Sequence, residues 1–123
     1  MTKRKVCLDE NLPHDLRPCL PQFNTYTATY KGFSGLKNGK LLDAVEAASF
    51  DVLVTGDKTL HYEQNLQGRK LVIVSLSAQS WPVIEPHVDK IAFAIEQATP
   101  GSFTKVDCGK FSRKLRSSGL TSF

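Results

Sequence analysis

Apolar positions in this chain follow two rhythms. Short unbroken runs, KVCL at residues 5–8, DVLVT at 51–55 and LVIVSL at 71–76, lack the polar alternation of a half-solvated strand and predict strands buried on both faces. Elsewhere the apolar residues recur at helical spacing. Leu12, Leu16 and Leu20 predict a short helix capped by Asn11, with Pro13 in its first turn and Pro18 and Pro21 limiting its length. Leu41, Leu42, Val45 and Ala48 form the stripe of a helix opening at Asn38. Ile84, Val88, Ile91, Ala92, Ile95 and Ala98 mark one long helix, capped by Ser80 and carrying Pro82 in its first turn. TYTATY at 25–30 is β-branched and aromatic, and predicts a strand with Tyr26, Ala28 and Tyr30 on one face. After the break at Pro100-Gly101, residues 103–106 add an edge strand. Residues 31–37 read as a loop and 56–69 as a polar crossover with one short helical turn. The alternation predicts an α/β domain of three layers, α/β/α, around a largely parallel central sheet of four to five strands.

Composition adds a size limit. With 123 residues, 41% hydrophobic and 23% charged, the chain has room for one globular domain, here residues 1–107, and for no second one. The formal charge of +4 sits in the last stretch, 108–123, where Lys110, Arg113, Lys114 and Arg116 meet no acid. Subtracting these four from the 16 Lys and Arg leaves 12 against 12 Asp and Glu, so residues 1–107 are formally neutral. The tail reads as a solvated, flexible end able to add electrostatic attraction to a polyanion. Cys7, Cys19 and Cys108 lack the paired spacing of a zinc site or a disulfide framework, which points to reduced thiols and a cytoplasmic protein. The apolar stretch after Lys3, Arg4 and Lys5 is too short for an export signal, and no stretch suits a membrane span.

Candidate chemistry lies where strands end. The first run hands over to Asp9 and Glu10, the second to Gly56 and Asp57. In open α/β sheets ligands gather outside the carboxyl ends of strands. If these two strands are parallel neighbours, their ends lie about 5 Å apart, close enough for Asp9 and Asp57 to share a divalent cation. Gly56-Asp57 equally suits a plain turn. Asn38 lies near the inward stripe at the start of its helix, where it serves as a cap or as part of the site. Asp43 is rotated about 140° away from it. His14, His61 and His87 are too scattered for a metal cluster, and Trp81 beside Pro82 reads as a lid over the core.

Three stretches, LDENLP, GLKNGKLLDAVEAASFDVLVTGDKTL and LVIVSLS, resemble the PIN-domain ribonucleases, specifically the small PIN-like branch related to bacterial VapC-type toxins; the similarity spans residues 5–98. The resemblance implies a nuclease using Mg²⁺ or Mn²⁺ for phosphodiester hydrolysis of RNA. It maps catalytic and metal-holding roles onto Asp9, Asn38 and Asp57, with Thr55 supporting and Glu10 as an additional acid. It implies an antitoxin as protein partner and is compatible with a homodimer. Two positions depart from the pattern. Asn38 stands where an Asp is usual and Lys40 where a Glu is usual, which removes negative charge and predicts weak metal affinity or a lost activity. Beyond Asp57, the residues Lys58, His61 and Arg69 offer phosphate and base contacts to RNA, or simply make up a polar surface. Two other classes fit part of the pattern: a catalytically degenerate PIN-like protein that binds a partner, and a signal-receiver domain using Asp9-Glu10, Asp57, Ser77 and Lys105.

Overall fold

The computed structural model describes residues 3–36, 38–56 and 68–109. Five strands, β1 (Lys5–Leu8), β2 (Asn24–Thr27), β3 (Val52–Thr55), β4 (Val72–Leu76) and β5 (Phe103–Val106), form one sheet. Its order is β2-β1-β3-β4-β5 and every pairing is parallel. Every residue of β3 and β4 is buried, as their unbroken apolar runs require.

The two faces of the sheet are covered separately, giving the three layers. On one face Cys7, Leu53 and Ile73 pack against Leu41, Leu42 and Val45 of α1 (Asn38–Ala47). On the other, Val6, Val52, Val54 and Val74 meet Leu12, Leu16 and Leu20 together with Ile84, Ile91 and Ile95. The last three lie on α2 (Trp81–Ile84) and α3 (Val88–Gln97). Trp81 is half-buried against this second core, the lid position expected for it. Each fully buried Leu or Ile contributes roughly 1.5–3 kcal/mol over an exposed one, so the two interfaces carry most of the fold's stability. α1 ends where Ser49 adopts φ 67° and the Phe50 N–H turns back to the Val45 carbonyl, which satisfies a helix-end acceptor.

Three local expectations give way to stronger local chemistry. The first helix is a 3-10 helix over His14–Cys19, preceded by Pro13, because in an α-helix the Pro18 ring would run into the His14 carbonyl. TYTATY leaves the sheet after Thr27, whose hydroxyl accepts the Tyr30 N–H at 3.1 Å and whose carbonyl accepts the Lys31 N–H at 3.2 Å. The long helix breaks into α2, a 3-10 turn (Glu85–His87) and α3, since Pro86 follows Pro82 by four residues and its ring opposes that carbonyl. Ser80 precedes α2 as expected, but it caps with its carbonyl, which accepts from Val83 and Ile84.

Packing continues to Cys108, which is buried and donates its N–H to the Ser77 hydroxyl at 2.7 Å. The basic tail from residue 110 lies outside the described residues. No helix among the described residues is long and apolar enough to cross a membrane.

Candidate functional site

The sheet order places β1 and β3 side by side at the point where the winding reverses: from β1 the chain goes outward to β2, then returns to β3 on the other side. Sheets of this order open a crevice there, outside the carboxyl ends of the two strands. Leu8 is in register with Val54, so Asp9 extends from β1 opposite Thr55, and its N–H donates to the Val54 carbonyl at 2.8 Å. The parallel, adjacent pairing on which a shared cation depends is therefore present.

Alternation along the strands puts Asp9 and Thr55 on the α1 face, in line with Cys7 and Leu53. The Thr55 hydroxyl donates to Asp9 Oδ2 at 2.7 Å, and the Glu10 N–H donates to Oδ1 at 2.8 Å. Both carboxylate oxygens of Asp9 thus accept a hydrogen bond, while the residue is only 7% exposed and Thr55 is fully buried. Bonds of this kind fix a carboxylate's orientation. The neighbouring Cys7 thiol is pushed up to about 12, first by burial and then by the Asp9 charge, against an opposing pull from Lys31.

Just beyond β3, Gly56 is held at both ends of its backbone. Asn11 Oδ1 accepts its N–H at 3.1 Å, and Gln79 Nε2 donates to its carbonyl at 3.0 Å. Asn11, expected to cap a helix, instead links the loop after β1 to the loop after β3. A side chain at residue 56 has no room, since a Cβ would meet Gln79 Cγ at 2.7 Å, Leu12 Cδ2 at 3.0 Å and the Ala78 carbonyl oxygen at 3.1 Å. Glycine is required here by close approach, not by a left-handed conformation. The clamp fixes the residue directly before Asp57. Asp57 itself, with Lys58 and His61, lies outside the described residues. Asn11 and Gln79 were not legible as site residues, although each follows a strand at its carboxyl end, which is the one signal that could have marked them.

α1 runs antiparallel to the strands, because its C-terminal end leads within a few residues into the start of β3. Its first residue, Asn38, therefore stands at the same end of the sheet as Asp9. Glu10 is exposed there, and its Oε1 accepts the Gly35 N–H at 3.2 Å, tying it to the loop before α1. Asp43 points elsewhere, as its rotation predicts: it is 71% exposed and pairs with Arg69 at 2.8 Å. Arg69 also binds Glu46, and these two acids, Glu46 foremost, hold its guanidinium above its ordinary pKa. The Arg69 guanidinium is thereby docked on α1. Of the receiver set, Ser77 binds the Cys108 N–H, and Lys105 lies within β5 in register with Ser75.

The donors gathered here are oxygen, which suits a hard cation. Asp9 supplies an anchored carboxylate, and Glu10, next in the chain, an exposed one bound to the Gly35 N–H. Among the described residues, no group of three or more His, Cys, Asp and Glu is placed to hold a metal ion. Asp57, expected to share the cation with Asp9, follows Gly56 in the chain. No family model, no curated protein and no solved structure matches this chain.

Proposed function

We propose that the chain is a PIN-like, metal-dependent ribonuclease that hydrolyses RNA phosphodiester bonds, working in the cytoplasm as the toxin of a toxin–antitoxin pair. The observation that carries this reading is the Asp9 carboxylate, buried at the switch point of the sheet and bound by Thr55, with the next strand end clamped at Gly56. A carboxylate oriented in this way, beside a rigid backbone leading to a second acid, is what a hard cation needs from its protein ligands. Asp9 and Asp57 would hold Mg²⁺ or Mn²⁺, with Glu10 and the Asn38 amide oxygen completing the set. The ion, when bound, lowers the pKa of a water and balances charge on the phosphate. Thr55 orients Asp9. Asn11 and Gln79 hold the Gly56 backbone at the end of β3, next to Thr55 and the acid it positions. Asn38 and Lys40 make the site less negative than an all-acid one, and the activity correspondingly slower.

The test is cleavage of a mixed-sequence RNA by the purified chain in Mn²⁺ or Mg²⁺, with EDTA and Asp57→Asn as controls. Metal-dependent cleavage that Asp57→Asn abolishes is the expected result. A folded chain that cleaves nothing in either metal would contradict the enzyme and favour a PIN-like protein that acts by binding its partner.

A further inference from the structure

A surface runs along the outer edge of β2 that none of the acids above explains. One groove of about 450 Å³ is lined by His14, Arg17, Pro18, Thr27, Thr29 and Tyr30. A second, of about 310 Å³, shares Arg17 and Pro18 with the first and continues along Asn24, Thr25 and Tyr26. Among the described residues neither groove has an acid in its lining. Tyr30 is 77% exposed, and its ring stacks on Tyr26 with centroids 6.2 Å apart and planes 16° apart. Tyr26 is in turn held edge-on by Phe50 at 5.8 Å, with the Lys31 ammonium 5.2 Å from its ring. Tyr30 is therefore an aromatic platform on a supported base. Arg17 is exposed, yet its Nε–H donates to the Thr25 carbonyl at 2.9 Å, which fixes the guanidinium plane at the meeting of the two grooves.

We propose that these grooves bind single-stranded RNA, with a base stacked on Tyr30 and the neighbouring phosphates at Arg17 and His14. Exposed aromatic rings with interleaved cations are how proteins take up single strands without reading sequence. A peptide adding to the β2 edge is disfavoured by the edge itself. Its outward carbonyls are already taken, Thr25 by Arg17 and Thr27 by the Lys31 N–H, so strand addition would forfeit those bonds. The groove also leads to the right place. Thr27 is in register with Leu8, the Ala28 N–H donates to the Leu8 carbonyl at 2.8 Å, and the strand's next residue is Asp9. This inference rests on the nuclease reading for the destination of the RNA, but the binding itself needs no metal.

The test is fluorescence anisotropy of a labelled, mixed-sequence RNA oligonucleotide with the full chain in EDTA, where no metal-dependent cleavage occurs. Tyr30→Ala weakens binding about tenfold while Tyr30→Trp retains it. Arg17→Ala lowers the salt dependence of binding by about one counterion. The same sequence as a duplex binds more weakly than the single strand. Wild-type chain that binds no RNA at low salt, or variants that bind it as the wild type does, would overturn the inference and leave the face to a protein partner. Tyr30-dependent binding by a chain that never cleaves would contradict the nuclease reading alone. Cleavage with Tyr30-independent binding would contradict this inference alone.

Discussion

Thr55 and Asp9, 46 residues apart in the chain, meet through a 2.7 Å hydrogen bond that joins the ends of β1 and β3. The hydroxyl is the donor, and the residue that supplies it is completely buried. Thr55 thus works as a positioner of the acid. Thr55→Val keeps the shape and removes the donor from a buried carboxylate, at a cost of about 2 kcal/mol in unfolding free energy. Thr55→Ser keeps the bond and loses only a methyl group, at about 1 kcal/mol. Urea denaturation of the two variants separates the outcomes; equal losses would show that the bond contributes nothing.

The clamp at Gly56 makes a second prediction. Gly56→Ala forces a Cβ against the Ala78 carbonyl and the Gln79 side chain, at a cost of about 1–3 kcal/mol. Because Gln79 supplies both a clashing carbon and a hydrogen bond to the Gly56 carbonyl, adding Gln79→Ala relieves part of the strain. The double variant is therefore less destabilised than the sum of the two single ones. Strict additivity in urea midpoints would refute the packing described.

Cys7 gives the fold a pH signature. Its thiol ordinarily titrates near 9.0 and is pushed up to about 12 in the folded chain. Between these values the unfolded chain has lost the proton and the folded chain still holds it. Stability contributed by Cys7 is therefore intact below about pH 9 and falls by about 1.4 kcal/mol per pH unit above it, until the folded thiol itself ionises. Cys7→Ala flattens that decline relative to wild type, as denaturant midpoints at pH 8 and pH 10 would show. In the native chain at pH 8, alkylating reagents modify the half-exposed Cys19 and spare the buried Cys7 and Cys108.

How much of this could be read along the chain depended on how local each cause is. Strands β1, β3 and β4 were legible because a strand covered on both faces must be apolar throughout, and α1 because its stripe repeats at helical spacing. The place of Asp9 just past β1 was legible from the strand before it, whereas its bond to Thr55 joins residues 46 apart that only the sheet order brings together. TYTATY misled because a single hydroxyl, that of Thr27, outweighs the strand propensity of the residues around it. Asn11 misled for the opposite reason. Its local setting is that of a helix cap, but its side chain pairs with Gly56, 45 residues away, and only the sheet order brings the two together. Gln79 is the same case from the β4 side. The pairing of Arg69 with Asp43 and Glu46 was not legible because those acids lie on a helix more than 20 residues earlier.

The central claim is that the joined ends of β1 and β3 form a divalent-cation site, and Mn²⁺ titration by calorimetry tests it most directly. The wild-type chain binds one ion weakly, Asp9→Asn and Asp57→Asn lose that binding while remaining folded, and Asn38→Asp binds about tenfold more tightly because a charge returns to the site. Mn²⁺ binding that is absent in the wild type, or that survives both Asp9→Asn and Asp57→Asn, would contradict the account.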